Sequence, residues 1–342
     1  MKSKESNWIR YLWYWGAGIC VLVVLFEVGL RVGLGFGTPP LLRADSTIGY
    51  VFRAHQDTYR LTNRVHINAY HQRSEDLRQA PDSTFVRVLF LGDSVTWGGV
   101  LTDQEDTIPE EVENRLAKRC RRPVEALNAS AGSWGIGNLR AYADRFGFFD
   151  SDAVVLQIGT HDLTQATSDA SVVGRHPSYP NENPTLAIEE LVGRYLWPRY
   201  VRPYVSDFIG SERSKKNGAS STSSPDTRFA QNLDQLRALV TDIHDAGLPV
   251  VILHTPNRNE VVGQREPPSS TRRQRFLEVA DSMNVPVVNL AEQWAARSGV
   301  RPLYRDHIHL NERGNAAVSE VLGTSLLRQT DSLCTHSKRR AQ

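Results

Sequence analysis

A lone serine at the end of an apolar run is the first residue of this chain with a context that suits catalysis. In the stretch "VRVLFLGDSVTWGG", residues 86–99, Ser94 follows Gly92 and Asp93 at a bend. A serine in a turn commonly does no more than hydrogen-bond the nearby backbone. A catalytic role requires a base, a residue that orients the base, and donors for an oxyanion.

The base is suggested by "YRDHIHLNERG", residues 304–314, where Asp306 and His309 are three residues apart just before a predicted helix. In a short turn this spacing brings the carboxylate beside the imidazole, where it fixes the tautomer and stabilises the imidazolium that forms. His307, between them, is expected to point elsewhere. A surface Asp–His pair ahead of a helix cap is the alternative interpretation.

The elements that must position these residues follow a regular alternation. Five short apolar runs alternate with helical stretches, and they read "FVRVLFL", "VEALN", "AVVLQIG", "PVVILHT" and "PVVNL". Strands that are apolar throughout predict a parallel sheet covered on both faces. We therefore expect an α/β, flavodoxin-like, doubly wound sheet of order 2-1-3-4-5, with the site at the carboxyl ends of its strands.

Oxyanion donors are expected at the same rim. The backbone N–H of Ser94 is one, and a glycine in "LNASAGSWGIGN" after strand two is another, because glycine allows a close backbone approach. Strand three ends in "QIGTHDL", which contributes His161. Four loops that converge on one rim are much less expected by chance than any single motif.

These blocks, in this order, resemble the SGNH hydrolase (GDSL esterase/lipase) superfamily over residues 84–328. They are "GDSV", a Gly-rich second loop, G-x-x-D and D-x-x-H. The resemblance implies that Ser94 is the nucleophile, His309 the base and Asp306 its partner. It identifies Gly132 as the second-block glycine, with Gly135 as the alternative. The lead-in and the apolar N-terminus resemble envelope-anchored bacterial members, some of which handle acetyl groups on polysaccharides.

The third block departs from the family, since His161 stands where an asparagine normally donates to the oxyanion. A histidine can still donate through a ring N–H, and as a cation it is the stronger donor. The loss of one such donor lowers the rate roughly a hundred- to thousandfold. The sequence thus supports two functions. One is a serine-dependent acyl-ester hydrolase or O-acyltransferase acting on a small acyl (acetyl) ester of an envelope or exported polysaccharide. The other is a non-catalytic glycan-binding or assembly component with a degraded site.

The N-terminus predicts a transmembrane anchor through residues 9–36. Lys2, Lys4 and Arg10 precede the uncharged run "YLWYWGAGICVLVVLF", and Glu27 and Arg31 follow at a spacing that lets them pair on one helix face. Basic residues before the run favour a cytoplasmic N-terminus and an exported domain, here in the bacterial periplasm. A cleaved signal peptide is the alternative, although no A-x-A-like site follows the run.

The chain divides into an anchor (1–40), a lead-in (41–83), the hydrolase-like domain (84–330) and a tail (331–342). An insertion at 165–225 interrupts the domain. Its "RYLWPRYVRPY", residues 194–204, suits a sugar-stacking, membrane-facing or polyanion-contacting surface, or else packs on the domain. Its "SERSKKNGASSTSSPD", residues 211–226, is predicted to be disordered.

Composition removes several classes of function. The net charge of +2 over 342 residues gives no sign of a nucleic-acid partner. There is no zinc-type Cys/His spacing, P-loop or dinucleotide fingerprint, so no metal or cofactor is expected. The pair Cys120 and Cys334 is either a disulfide of an exported domain or two free thiols.

Four further side chains near predicted strand ends have two interpretations each. His254 and Arg258 either line a substrate cleft or hydrogen-bond within loops, and Trp97 and Trp134 either shape an acyl or sugar pocket or pack in the core. Protein partners are not revealed by the sequence.

Overall fold

The computed structural model describes residues 5–78, 85–201, 223–262, 270–295, 298–329 and 333–334. The predicted disordered stretch therefore lies outside the described residues up to position 222, as do residues 202–204, the end of the lead-in and most of the tail. The strands are β1 Leu42–Asp45, β2 Gly49–Phe52, β3 Gln56–Arg60, β4 Asn63–Ile67, β5 Val86–Gly92, β6 Val124–Ser130, β7 Ala153–Gly159, β8 Val250–Thr255 and β9 Val287–Asn289.

The five predicted apolar runs form one parallel sheet in the order β6-β5-β7-β8-β9. This is the predicted 2-1-3-4-5 arrangement, so the α/β doubly wound prediction is confirmed. Strands β5, β6 and β7 have seven residues each, and all of these residues are buried, because helices cover both faces of the sheet.

Helices alternate with the strands and divide the core into two layers. They are α1 Glu5–Leu34, α2 Ser94–Trp97, α3 Ile108–Cys120, α4 Ile136–Phe146, α5 Ala187–Glu190, α6 Pro225–Asp245, α7 Arg258–Val262, α8 Ser270–Ser282, α9 Leu290–Ala295 and α10 Glu312–Gln329. A wider π-type helix, Leu191–Val201, continues from α5. Leu89 and Leu91 pack with α4, α6 and α8, while Val88 and Phe90 pack on the other face with α3, α9 and α10.

Helix α1 has the length and composition of a membrane span. Its stretch Arg10–Leu34 has a mean hydropathy of 2.1, and most of its side chains are exposed. A 25-residue apolar helix of this kind is long enough to cross a bilayer.

Three helix ends differ in how they are capped. Asn311 caps α10, since its Oδ1 accepts the N–H of Gly314 at 3.0 Å. Thr107 occupies the N-cap position of α3 but does not cap it, because its hydroxyl donates to the carbonyl of Gln104 instead. Helix α4 ends at Phe146, and the next residue, Gly147, takes a positive φ of 69°.

The polar lead-in, whose sequence has no clear period and suits either short ordered elements or a linker, consists of short ordered elements. The lead-in forms two antiparallel hairpins, β1–β2 and β3–β4, whose Tyr50, Val51 and Ile67 are buried in the layer of α4, α6 and α8. The strands are four or five residues long, so a period-2 pattern has too few positions to be visible in the sequence.

A disulfide joins Cys120, at the end of α3, to Cys334, just beyond α10, with 4.9 Å between the Cα atoms. Cys20, on α1, is an exposed free thiol. Of the two interpretations of the pair Cys120 and Cys334, the structure therefore agrees with the disulfide.

We predict that Cys120→Ala lowers the free energy of unfolding by about 2–5 kcal/mol, because the bridge closes a long loop and restricts the unfolded chain. Denaturant titration of the full chain in detergent, oxidised and reduced, measures this. Cys20→Ala is the matched control and should change nothing. Three reactive thiols in the denatured, oxidised protein would contradict the prediction.

Candidate active site

Ser94 begins helix α2 directly beyond the carboxyl end of β5. Asp93 caps this short helix, since its Oδ1 accepts the N–H of Val95 at 2.7 Å. Gly92 is required for close approach, because a Cβ there would lie 2.2 Å from Thr96 Oγ1 and 2.9 Å from Gln157 Oε1. The turn therefore aims the serine hydroxyl away from the sheet and out at its rim.

His309 and Asp306 meet Ser94 at that rim, although 215 positions separate Ser94 from His309. The distance between His309 Nε2 and Ser94 Oγ is 2.9 Å, and that between His309 Nδ1 and Asp306 Oδ2 is 2.7 Å. Because a carboxylate can only accept, Nδ1 carries the proton and Nε2 is free to accept the serine hydroxyl. This is the arrangement in which an imidazole acts as a base toward serine.

The surroundings of Asp306 stabilise its charged carboxylate. Its Oδ1 accepts the N–H groups of Ile308 and His309, both at 2.8 Å. Partial burial opposes the charge, but these two donors and the imidazole outweigh it and lower the pKa of Asp306 to about 2. His307 is exposed and lies 3.9 Å from Asp306, so it points elsewhere as expected.

Of the two candidate glycines for the oxyanion hole, the geometry favours Gly132. The N–H of Gly135 already donates to Asn138 Oδ1 at 2.9 Å. The carbonyl of Gly132 accepts the Tyr50 hydroxyl at 2.5 Å, which fixes the adjoining peptide, and a Cβ on Gly132 would meet nothing within 4 Å. Gly132 thus faces open space, where a substrate oxygen can approach.

His161 lies beside the turn that carries Ser94, and it contacts Asp93. Its Nε2 is 2.6 Å from Asp93 Oδ2 and 3.4 Å from Asp162 Oδ1. Its Nδ1 is buried and has no hydrogen-bond partner among the described residues. The contacts of His161 therefore serve to hold Asp93, the cap of the serine turn, and its role as an oxyanion donor stays a prediction.

The charge of His161 follows from these neighbours. Burial disfavours the cation, but the nearby Asp162 and the hydrogen bond to Asp93 outweigh burial and raise the pKa of His161 to about 9. Among the described residues, Asp93, His161 and Asp162 also form a group that could hold a metal ion. Their potential ligand atoms all lie within 4.8 Å of one another.

A frame of buried polar groups, none of them anticipated from the sequence, surrounds the serine turn. Gln157 Oε1 accepts from the N–H of Asp93 at 3.1 Å and from the hydroxyl of Thr96 at 3.0 Å. Asn128 Nδ2 donates to the Thr96 carbonyl at 2.9 Å. Glutamine and asparagine inside otherwise apolar strands were the available signal, since a buried amide requires partners.

Arg73, from the lead-in, fixes the loop that follows Ser94. It is fully buried, and its guanidinium donates to the carbonyls of Trp97 and Gly99, both at 2.7 Å, and of Thr102 at 2.8 Å. Burial lowers the pKa of Arg73 to about 9. The lead-in is thus part of the framework of the site.

The remaining side chains of uncertain role are packing or loop residues. Trp97 stacks edge-on against Phe52, and the Nε1 of Trp134 donates to the Tyr50 carbonyl at 3.0 Å; both indoles are buried. His254 is fully buried with Nδ1 at 2.9 Å from the Ile158 carbonyl.

Two other features lie outside the triad. The N–H of Arg258 donates to the carbonyl of His307 at 2.9 Å. A cavity of about 490 Å³ lies between the loop 174–185 and α5, and no triad residue lines it.

A family comparison agrees with this geometry. The GDSL-like Lipase/Acylhydrolase family matches residues 90–317, which include the serine turn and the His309 loop. The chain belongs to this family, and it is an esterase of the SGNH type that hydrolyses acyl esters. No curated protein matches the chain.

Several solved structures are similar in fold. An acetyl xylan esterase, AlAXEase, is 16% identical over 70% of this chain and 100% of its own, with a TM-score of 0.46. A lipase/acylhydrolase from Enterococcus faecalis is 15% identical over 70% and 95%, with a TM-score of 0.42. A two-domain esterase active on acetylated mannans is 16% identical over 75% and 52%, with a TM-score of 0.43. Similarity this distant leaves the substrate to be argued from the chain's own residues.

We predict that His161→Asn destabilises the protein in a pH-dependent manner. The folded-state pKa of about 9 lies above the usual value of 6.5. The stabilising contribution of His161 is therefore complete below pH 6.5 and is lost as the pH rises through 9, by at most about 1.4 kcal/mol per pH unit. Denaturant titration of the full chain across this range measures the difference from wild type.

His307→Asn is the matched control, since His307 is exposed and should show no such trend. A deficit of His161→Asn that stays constant across the range would contradict a cationic His161.

Proposed function

We propose that this chain uses Ser94, His309 and Asp306 to cleave small acyl esters, foremost acetyl, from a polysaccharide of the cell envelope or an exported one. The hydrogen-bonded chain from Ser94 Oγ through His309 to Asp306 carries the proposal. In the first step Ser94 Oγ attacks the ester carbonyl, His309 Nε2 takes its proton, and the N–H groups of Ser94 and Gly132 bind the oxyanion. The alkoxide leaving group takes the proton back from His309, which leaves an acyl-serine.

The second step decides between hydrolase and transferase. His309 removes a proton from water, or from a sugar hydroxyl, and the resulting attack on the acyl-serine restores Ser94. Water gives an esterase, and a sugar gives an O-acyltransferase. The same three residues serve both, so the acceptor must be found by experiment.

The preference for a small acyl group is supported by what surrounds the serine. Trp97, three residues after Ser94, and Trp134, in the loop after β6, are both buried in the core and offer no wall for a long acyl chain. Arg305, whose guanidinium lies 3.5 Å from the Gly98 carbonyl and also bonds Thr102, adds a polar side to the site. A polar rim suits a carbohydrate ester better than an apolar lipid.

A membrane-anchored domain in an oxidising compartment is supported by two features. Helix α1 has the length and composition of a span, and the Cys120–Cys334 disulfide is of a kind that persists outside the cytosol. With Lys2, Lys4 and Arg10 on the cytoplasmic side, the domain faces the periplasm.

We predict that the full chain in detergent hydrolyses p-nitrophenyl acetate faster than p-nitrophenyl octanoate. Ser94→Ala should lower kcat by roughly a thousandfold or more, and Asp306→Asn by roughly a thousand- to ten-thousandfold, because the wrong tautomer of His309 then forms. His309→Asn should fail like Ser94→Ala. Release of acetate from acetylated polysaccharides, with and without a sugar acceptor, identifies the acceptor.

His307→Asn is the control, because His307 is exposed, and this variant should keep wild-type activity. No turnover of any ester by a folded wild-type chain would favour the glycan-binding alternative. Faster turnover of octanoate would overturn the small-acyl assignment.

A further inference from the structure

The two charges near the end of α1 are used to attach the helix to the insertion. Glu27 accepts the N–H groups of Ala187 and Ile188 at 2.8 and 3.0 Å, and so caps α5. Arg31 donates to Glu27 at 2.6 Å and to the carbonyl of Thr185 at 2.7 Å. Both charges therefore have partners in the domain.

A buried ion pair holds the same corner together. Arg60 of β3 pairs with Glu190 of α5, and both side chains are buried. Glu190 Oε2 also accepts the N–H of Gly37 at 2.7 Å, and Arg60 donates to the Gly35 carbonyl at 2.6 Å. The exit of α1, the second hairpin and the insertion helix are thus bonded to one another.

Apolar packing completes this attachment. Leu30 and Phe36 are buried against Ala187, with Leu191 and Tyr195 packed beside them. The rings of Phe36 and Tyr195 meet edge to face at 5.4 Å. One side of the helical segment 187–201 therefore faces the end of α1.

Another side of this segment presents apolar side chains that remain exposed. We call Val192, Leu196, Trp197 and Tyr200 the exposed stripe; they are 43%, 39%, 48% and 60% exposed. Three of them are four residues apart, close to one turn of this wider helix, so they follow one line along it. Trp and Tyr in such a line are the residues enriched at membrane–water interfaces.

The depth of this stripe follows from helix geometry. An α-helix rises about 1.5 Å per residue and the hydrocarbon core is about 30 Å thick, so a span that enters at Arg10 leaves about 20 residues later, near Leu30. Ala187 packs against Leu30, which brings the segment 187–201 to the level at which α1 leaves the bilayer.

We propose that the segment 187–201 lies on the outer surface of the membrane and that its exposed stripe contacts lipid. The apolar surface of the stripe continues that of α1, and a bilayer that surrounds α1 reaches it without any further partner. A helix of this kind buries its apolar side at the headgroup boundary. The domain would then be held at a fixed tilt and height above the membrane. The inference rests on the proposed anchoring by α1 and is independent of the esterase reaction.

The test places an environment-sensitive fluorophore on the full chain in nanodiscs of phosphatidylethanolamine and phosphatidylglycerol. In a Cys20→Ala background, single cysteines are introduced by Leu196→Cys or Tyr200→Cys in the stripe. Val21→Cys marks α1. Thr324→Cys marks an exposed position on α10, which covers the opposite face of the sheet. Unlabelled nanodiscs are compared with nanodiscs whose lipids carry doxyl near the headgroup, which reports on the stripe, or near the end of the acyl chain, which reports on Val21→Cys at the middle of the span.

We expect doxyl lipid to reduce the fluorescence at Leu196→Cys and Tyr200→Cys about twofold or more, and to leave Thr324→Cys unchanged. Quenching at Val21→Cys with none in the stripe would overturn the proposal and leave the anchor intact. An unquenched Val21→Cys would remove the anchor and the proposal with it. Stripe labels that are shielded from water yet unquenched would indicate a protein neighbour in place of lipid and would also overturn it. Esterase activity of the same samples, measured separately, tests the proposed reaction.

Discussion

The hydrogen bond between Ser94 Oγ and His309 Nε2 is the contact on which the rest of the structure depends. It joins two loops that are distant along the chain, and its 2.9 Å length leaves little tolerance for movement of either. The serine side is held by Asp93, whose backbone is bonded to Gln157 and whose carboxylate is bonded to His161 and Val95. The histidine side is held by Asp306. Much of the buried polar chemistry near the site serves to keep these two sides in register.

Burial makes that frame effective. An unsatisfied polar group in the interior costs about 1–3 kcal/mol, so each buried partner must remain in place. Arg73 shows this most clearly, because its guanidinium donates to three carbonyls of the loop that follows Ser94. A lysine at that position would present a single ammonium in place of a planar fork, and could not reach all three carbonyls.

Features with a local signal could be predicted from the sequence. The apolar runs predicted all five strands of the sheet, their order and the rim at which Ser94 lies, since buried parallel strands require no partner to be recognisable. The Asp306–His309 contact could also be predicted, because the two residues are only three positions apart in one turn. The contacts of His161 could not be predicted in this way, because Asp93 comes from a different strand end. The sequence left the lead-in as either short ordered elements or a linker and did not predict the helix 187–201, because the order of both depends on packing against distant segments.

The pair Glu27 and Arg31 illustrates how a sequence feature changes meaning in three dimensions. In the sequence the two residues could pair with each other at the edge of an apolar helix. In the structure they also bind the start of α5, so the insertion is bonded to the end of α1. Glu27 is thus the acceptor for the first N–H groups of α5, a role that its sequence context alone did not indicate.

Covalent trapping is the most direct test of the triad. The full chain is treated with a fluorophosphonate and digested, and the modified residue is identified by mass spectrometry. We predict a single adduct on Ser94 that is lost in His309→Asn, because only a serine whose proton is taken by the imidazole attacks the phosphorus rapidly. An adduct on another serine, or undiminished labelling of Ser94 in His309→Asn, would contradict the account.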